Sequence, residues 1–258
     1  MTRLSSLVRS ARLPLLLLAP LFPLTLAAAP PASGPAPATH VPLGSRLPVP
    51  DWDEPETADQ AKANEVLKTF ADCVVKTKPS QAYALLMTPP DSPQQTRAVS
   101  AIVGKYNSCL KYEGQMELSP ILFRGAIAES LWRATAAGRT LVPAEASPRD
   151  SERFEAALRA GSPTVARSSE WPALLLGRWM AFCAVRADPA AVDRLLWTGL
   201  GTAEELAALN ALRPALAACL TRNQTIQTNR ITTRALLAEA LYQRQPPPAQ
   251  AANARTKR

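Results

Sequence analysis

The sequence predicts an all-α fold built from two tandem, related helical lobes, each closed by one disulfide. Three observations predict it. Shifting the chain by 110 residues superposes residues 70–132 on 180–242 without a gap: FADCVVKTKPSQAYALLMT faces MAFCAVRADPAAVDRLLWT, Cys109-Leu110 faces Cys219-Leu220, and RGAIAESLW faces RALLAEALY. The four cysteines follow the same shift, with Cys73 and Cys109 separated by 36 residues and Cys183 and Cys219 by 36. Helical periodicity rich in alanine dominates, and strand-like alternation is confined to EGQMEL at 113–118. A unit this long present in two copies predicts two lobes and not a solenoid array.

The elements follow in chain order. Residues 1–28 read as a secretory signal peptide: Arg3, Arg9 and Arg12 without an acid, an apolar run LPLLLLAPLFPLTL at 13–26, then Ala27 and Ala28 at the expected cleavage. That run is short and broken by Pro14, Pro20 and Pro23, so no stable membrane span is expected after cleavage. Residues 29–57 are proline-rich and read as a disordered spacer. The first repeat, 58–137, opens with a helix over 58–77 carrying Cys73, and Pro79 then suits the first turn of a short second helix, where its missing N–H costs nothing. Ser92 with Gln95 forms a capping box for a third helix running towards Cys109, and Ser119 caps a last helix over 120–137.

The connector, 138–170, is polar and holds one short helical stretch, DSERFEAALRAG, expected to cover part of the seam between the lobes. The second repeat, 171–243, repeats the pattern with a helix over 172–187, Pro189, the Thr202–Glu205 box, and Asn229 capping 230–243. Pro214 has no counterpart in the first copy and predicts a kink or break. Residues 244–258 read as a basic disordered tail.

Charge and composition exclude several functions. The formal net charge is +8, but three arginines in the first 28 residues and four basic residues from Arg244 onward leave only +1 on the body. A nearly neutral body gives no basic face for nucleic acid. The single histidine, His40, lies in the proline-rich stretch, so a Ser-His-Asp or Cys-His mechanism has no base on the helical body, and zinc lacks its commonest nitrogen ligand. Gly199-Leu200-Gly201 lacks the third glycine and the preceding strand of a dinucleotide site. Ser108 and Lys111 match an SxxK spacing, but the accompanying motifs are missing and the second copy has Ala218 and Thr221 there. Asp51, Asp53, Glu54 and Glu56 read as charges favouring the start of the first helix, not as a cation site. No metal and no cofactor are expected.

Export places the cysteines in an oxidising compartment, where Cys73–Cys109 and Cys183–Cys219 read as structural bridges worth about 4 kcal/mol each on a chain-entropy model. No CxxC spacing or histidine partner supports a redox or nucleophilic role. The aromatic residues Trp132, Tyr242, Trp179 and Trp197 read as packing.

One polar constellation repeats: Arg124 with Glu129, and Arg234 with Glu239. Ile121, Ile127, Ala128 and Leu131 bracket Arg124, which therefore falls within the apolar stripe of its helix. Glu129 is five residues on, about 140° around the helix at the usual ~100° per residue, so each charge needs a partner elsewhere. Three arrangements meet that need. The arginine can bind carbonyls at a helix end or an acid of its own lobe; the lobes can meet about a pseudo-two-fold axis that pairs Arg124 with Glu239 and Arg234 with Glu129; or the two arginines can converge on an anionic ligand.

With the signal peptide, the FADCVVK…NSCL and MAFCAVR…AACL pairs and the RxxxAExL[WY] helices, the chain resembles uncharacterised exported proteins of alanine- and arginine-rich α-proteobacteria, notably of sphingomonad type, over residues 70–132 and 180–242. The resemblance implies a bacterial envelope setting and carries no activity. The expected protein is periplasmic or secreted, and two functions of different class fit it. One is a non-catalytic binding or structural module for an envelope protein or other periplasmic component, acting through a lobe surface or the cleft between lobes. The other is an enzyme acting on an envelope glycan with carboxylates alone, for which Glu129 and Glu239 are the acids common to both copies. Catalytic acids would lie in an open cleft, whereas structural ones would be buried against arginine.

Overall fold

A computed structural model describes residues 52, 56–105, 109, 119–135, 141–144, 148–162, 165–167, 169–220, 226 and 228–244. All lie in the unit Arg46–Arg258; Met1–Ser45 is a separate unit outside the described residues. The predicted signal peptide, His40, Ser108, Lys111, the EGQMEL stretch and three of the four clustered acids (Asp51, Asp53, Glu54) also lie outside them. The described residues are helical, with no strand.

In the first lobe α1 runs Ala58–Thr77, α2 Pro79–Leu86, α3 Pro93–Lys105 and α4 Pro120–Thr135. Thr57 starts α1 with a complete capping box: its hydroxyl accepts from Gln60 N–H, and the Gln60 side chain accepts from Thr57 N–H. α2 begins at Pro79, as its sequence predicts. At α3 the Ser92 hydroxyl accepts from Gln95 N–H, while the Gln95 side chain reaches past the cap to Asp91 N–H. α5, Pro148–Gly161, follows as the connector helix.

The second lobe comprises α6 (Trp171–Ala187), α7 (Pro189–Leu196), α8 (Ala203–Ala218) and α9 (Arg230–Gln243). Matched positions adopt matched conformations: α2 and α7 begin and end 110 residues apart, and the turns after them place Asp91 (φ 55) and Gly201 (φ 68) in the left-handed region. Both disulfides form, each with Cα atoms 5.7 Å apart. They tie α1 to Cys109 beyond α3, and α6 to Cys219 at the end of α8.

The lobes share one hydrophobic core, whose centre is the crossing of α4 and α9. At the crossing Gly125 meets Ala235, its own counterpart at the 110-residue offset; a Cβ on Gly125 would fall 2.3 Å from the Ala235 Cβ. Around the crossing pack Phe70 and Phe123, stacked at 5.7 Å, with Leu85, Ile127, Leu195 and Leu237. Glycine is required at 125 because it lets the two helix backbones approach to this distance.

Several expectations are corrected. α8 passes through Pro214 without a break: Leu209, Leu212 and Leu216 are buried along one face, and that packing holds the helix across one missing hydrogen bond. The stretch 29–57 is not wholly a spacer, since Trp52 is 1% exposed in the core with the Arg213 guanidinium 4.9 Å above its ring. Arg244, placed at the head of the tail, is the C-cap of α9 and donates to Val185 O. Trp197 is not core: it is 55% exposed, with Arg133 over its ring and its indole N–H on Asp193. Trp132 and Tyr242 are buried, and Trp179 packs with Phe154 and Phe182 where α5 meets α6.

Candidate functional site

The repeated charges occupy the interface between the lobes. Arg124 is fully buried on α4, yet every N–H of its guanidinium has an acceptor. Nε and Nη2 donate to Glu239 Oε1 of the other lobe at 2.9 and 2.7 Å. The remaining donors cap the C-terminus of α2 in its own lobe, reaching the carbonyls of Leu85, Leu86 and Thr88. A cation there also meets the negative end of the helix dipole.

Arg234 repeats this arrangement. It binds Glu129 through two parallel bonds of 2.8 Å and caps α7 at Leu196 O and Thr198 O. Such forked pairs fix orientation as well as energy. The cross-lobe and own-lobe arrangements therefore coexist, because a guanidinium has two edges to satisfy. Convergence on a ligand does not occur: Glu239 and Glu129 occupy both arginines.

The lobes differ in what completes each pair. Glu205 of the Thr202 capping box accepts from Gly201 N–H and also from Arg234 Nη1, whereas Gln95, its counterpart, carries no charge. Arg133 joins Glu129 at 2.8 Å from the next turn of α4. On the other side Arg178 of α6 bridges Glu239 Oε2 (3.0 Å) and Asp91 (3.1 Å), and Gln243 donates to Glu239 Oε1. Four arginines thus meet four carboxylates. Burial alone would raise the Glu239 carboxyl, but Arg178 and Arg124 outweigh it and hold the group at about 2. Burial would likewise lower Arg178 and Arg234, and their carboxylate partners outweigh it and raise both.

Sequence reasoning missed Arg178 and Asp91, and saw Glu205 only as a cap. The available signal was a cation at both 68 and 178, matched positions on the first helix of each lobe.

Beside this network lies a cavity of about 500 Å³ under α5. Leu86, Phe154, Leu158, Phe182 and Leu236 form its apolar walls. Buried Arg178 and Glu239 lie at its inner end, and Arg186, Gln243 and Arg244 at its outer edge. α5 is held over it at both ends, by Asp150 with Arg186 at 3.7 Å and by the Ser162 hydroxyl on Pro90 O.

A crevice of only about 30 Å³ occupies the matched place. Lys68, Asp72, Ala126, Glu129, Ser130 and Leu200 line it where Arg178, Phe182, Leu236, Glu239, Ala240 and Pro90 line the cavity. There Lys68 and Asp72 form an ion pair of 2.6 Å. Buried Nε of Arg178, in the cavity wall, has no hydrogen-bond partner among the described residues. Comparison with family models, curated proteins and solved structures returned no match, so this geometry alone supports a functional reading.

Proposed function

We propose that this protein is an exported, non-catalytic binding module of a bacterial envelope, and that its ligand site is the cavity under α5. The carrying observation is the asymmetry between two matched crevices, about 500 Å³ against about 30 Å³. The larger recess is open to solvent on one side and has room for a ligand that the smaller one lacks. The larger one falls within the ~300–1,000 Å³ of small-ligand sites, with apolar walls and a few polar groups. The unpartnered Arg178 N–H adds a reason for a ligand, since a buried donor without an acceptor costs about 1–3 kcal/mol.

The compartment rests on the leader-like N-terminal sequence, on two disulfides, which persist in oxidising surroundings, and on the resemblance to exported proteins of α-proteobacteria. No helix among the described residues is long and apolar enough to cross a membrane. The glycan-cleaving alternative finds no support at the repeated acids. Glu129 and Glu239 are buried against arginine, and the Glu239 carboxyl, held at about 2, has no proton to donate near neutral pH.

A thermal-shift screen of small molecules against the wild type and Ala157→Trp tests the reading; Ala157 lines the cavity from α5. A ligand at a hundredfold excess over its Kd stabilises by about 2.7 kcal/mol, a rise of about 5 to 10 °C in Tm for a chain of this size. Wild-type protein is expected to show such hits, and Ala157→Trp to lose them while keeping its ligand-free Tm. Hits that survive the filled cavity would place binding elsewhere.

A further inference from the structure

The cavity's polar groups are distributed unevenly, and the distribution specifies the chemistry of an occupant. Its inner end is charge-compensated, because Glu239 sits between Arg124 and Arg178, and Asp91 takes the other edge of Arg178. At the outer edge Arg186 and Arg244 lie near each other. Arg186 has Asp150 at 3.7 Å and lies over the Phe182 ring, whereas Arg244 is held by two backbone carbonyls, Val185 O and Val142 O, and meets no carboxylate among the described residues. Burial, and after it the Arg186 charge, lowers the Arg244 pKa. Among the described residues Arg244 thus brings to the mouth a positive charge that no carboxylate neutralises, and the space behind it is bounded by hydrocarbon and aromatic rings. The matched crevice has neither feature: Ala134 stands where Arg244 does, and Asp72 where Phe182 does.

We propose that the cavity binds a single-chain amphipathic carboxylate, its hydrocarbon body against Leu86, Phe154, Phe182 and Leu236 and its head group between Arg186 and Arg244. The inference rests on the binding-module reading and names the ligand class for that same site. An anion at the mouth relieves the repulsion between two like charges, and apolar burial of the chain supplies the affinity. A cationic amphiphile meets the surplus charge, and a neutral one leaves it uncompensated, so the head group sets the order of affinity.

Calorimetric titration of the whole mature protein with dodecanoate and dodecyltrimethylammonium, each below its micellar concentration, and dodecanol, below its solubility limit, holds the chain constant and varies the head. Dodecanoate is expected to bind about tenfold or more tightly than dodecanol, as a charge-assisted contact implies, and the ammonium compound weakest. Arg244→Gln, at an exposed position, is expected to remove the preference for dodecanoate over dodecanol; Ala157→Trp is expected to abolish binding of all three.

Equal affinities for the three heads, or a carboxylate preference that survives Arg244→Gln, would overturn the ligand class. So would the failure of all three to bind, or binding that persists in Ala157→Trp. The wider reading is judged separately: hits of another class in the thermal-shift screen, lost in Ala157→Trp, would uphold the cavity as a binding site while ending the carboxylate assignment.

Discussion

Glu239 joins three side chains at the interface, accepting from Arg124, Arg178 and Gln243 while 2% exposed. Glu239→Gln would leave two buried guanidinium groups short of a countercharge, at a cost of about 3–5 kcal/mol in a urea melt near neutral pH. The pH dependence has a definite sign. A carboxyl depressed to about 2 in the folded state, from 4.5, contributes stability that is complete above the higher value and lost as pH falls towards the lower. The stability gap between wild type and Glu239→Gln is therefore expected to narrow between about pH 4.5 and 2, and a constant gap would contradict the pairing. At this scale the need for partners was legible, because Arg124 falls in an apolar stripe. The cross-lobe partners, Glu239 for Arg124 and Glu129 for Arg234, stood among three arrangements the sequence allowed, and only the structure selects them, because they are 115 and 105 residues distant in the chain.

Helix ends were the most legible feature of the elements. Thr57, Ser92, Thr202 and Asn229 each accept from a backbone N–H of the first turn, an interaction contained within four residues. Pro214 predicts a kink or break because its local effect is unfavourable; α8 is not broken there, and burial of the neighbouring leucines, which no local rule registers, holds it together. Helix propensity and tertiary packing make opposite demands at two glycines. Gly104 of α3 has open space around it, so Gly104→Ala is expected to stabilise by up to about 1 kcal/mol. Gly125→Ala drives a methyl into Ala235 and is expected to destabilise by about 1–3 kcal/mol. Thermal melts of the two variants with opposite shifts would establish that the crossing of α4 and α9 is set by backbone approach.

The two helical lobes, which share one core, are expected to unfold as one cooperative unit. Separating them would expose the Gly125–Ala235 contact and split two buried ion pairs, so neither lobe retains a satisfied interior without the other. Tryptophan fluorescence and far-ultraviolet circular dichroism are expected to trace one coincident denaturant transition. The Cys183→Ser, Cys219→Ser double variant is expected to lower its midpoint without dividing it, the lost bridge being worth about 4 kcal/mol on the chain-entropy model. Two separated transitions would show independent lobes.

Helical class, caps and cysteine pairing were all readable along the chain, since each depends on residues a few turns apart or on a repeated spacing. The docking of the lobes and the location of the cavity emerge only in three dimensions. Matched crevices contain the same kinds of helix, and a few side-chain differences, Phe182 against Asp72 and Arg178 against Lys68 among them, accompany an open space on one side and a closed one on the other. Those residues come together through long-range packing, and α5, which has no counterpart among the described residues of the first lobe, lines one crevice and not the other. Local interactions select helices, whereas volume and charge balance at a site depend on every element that reaches it.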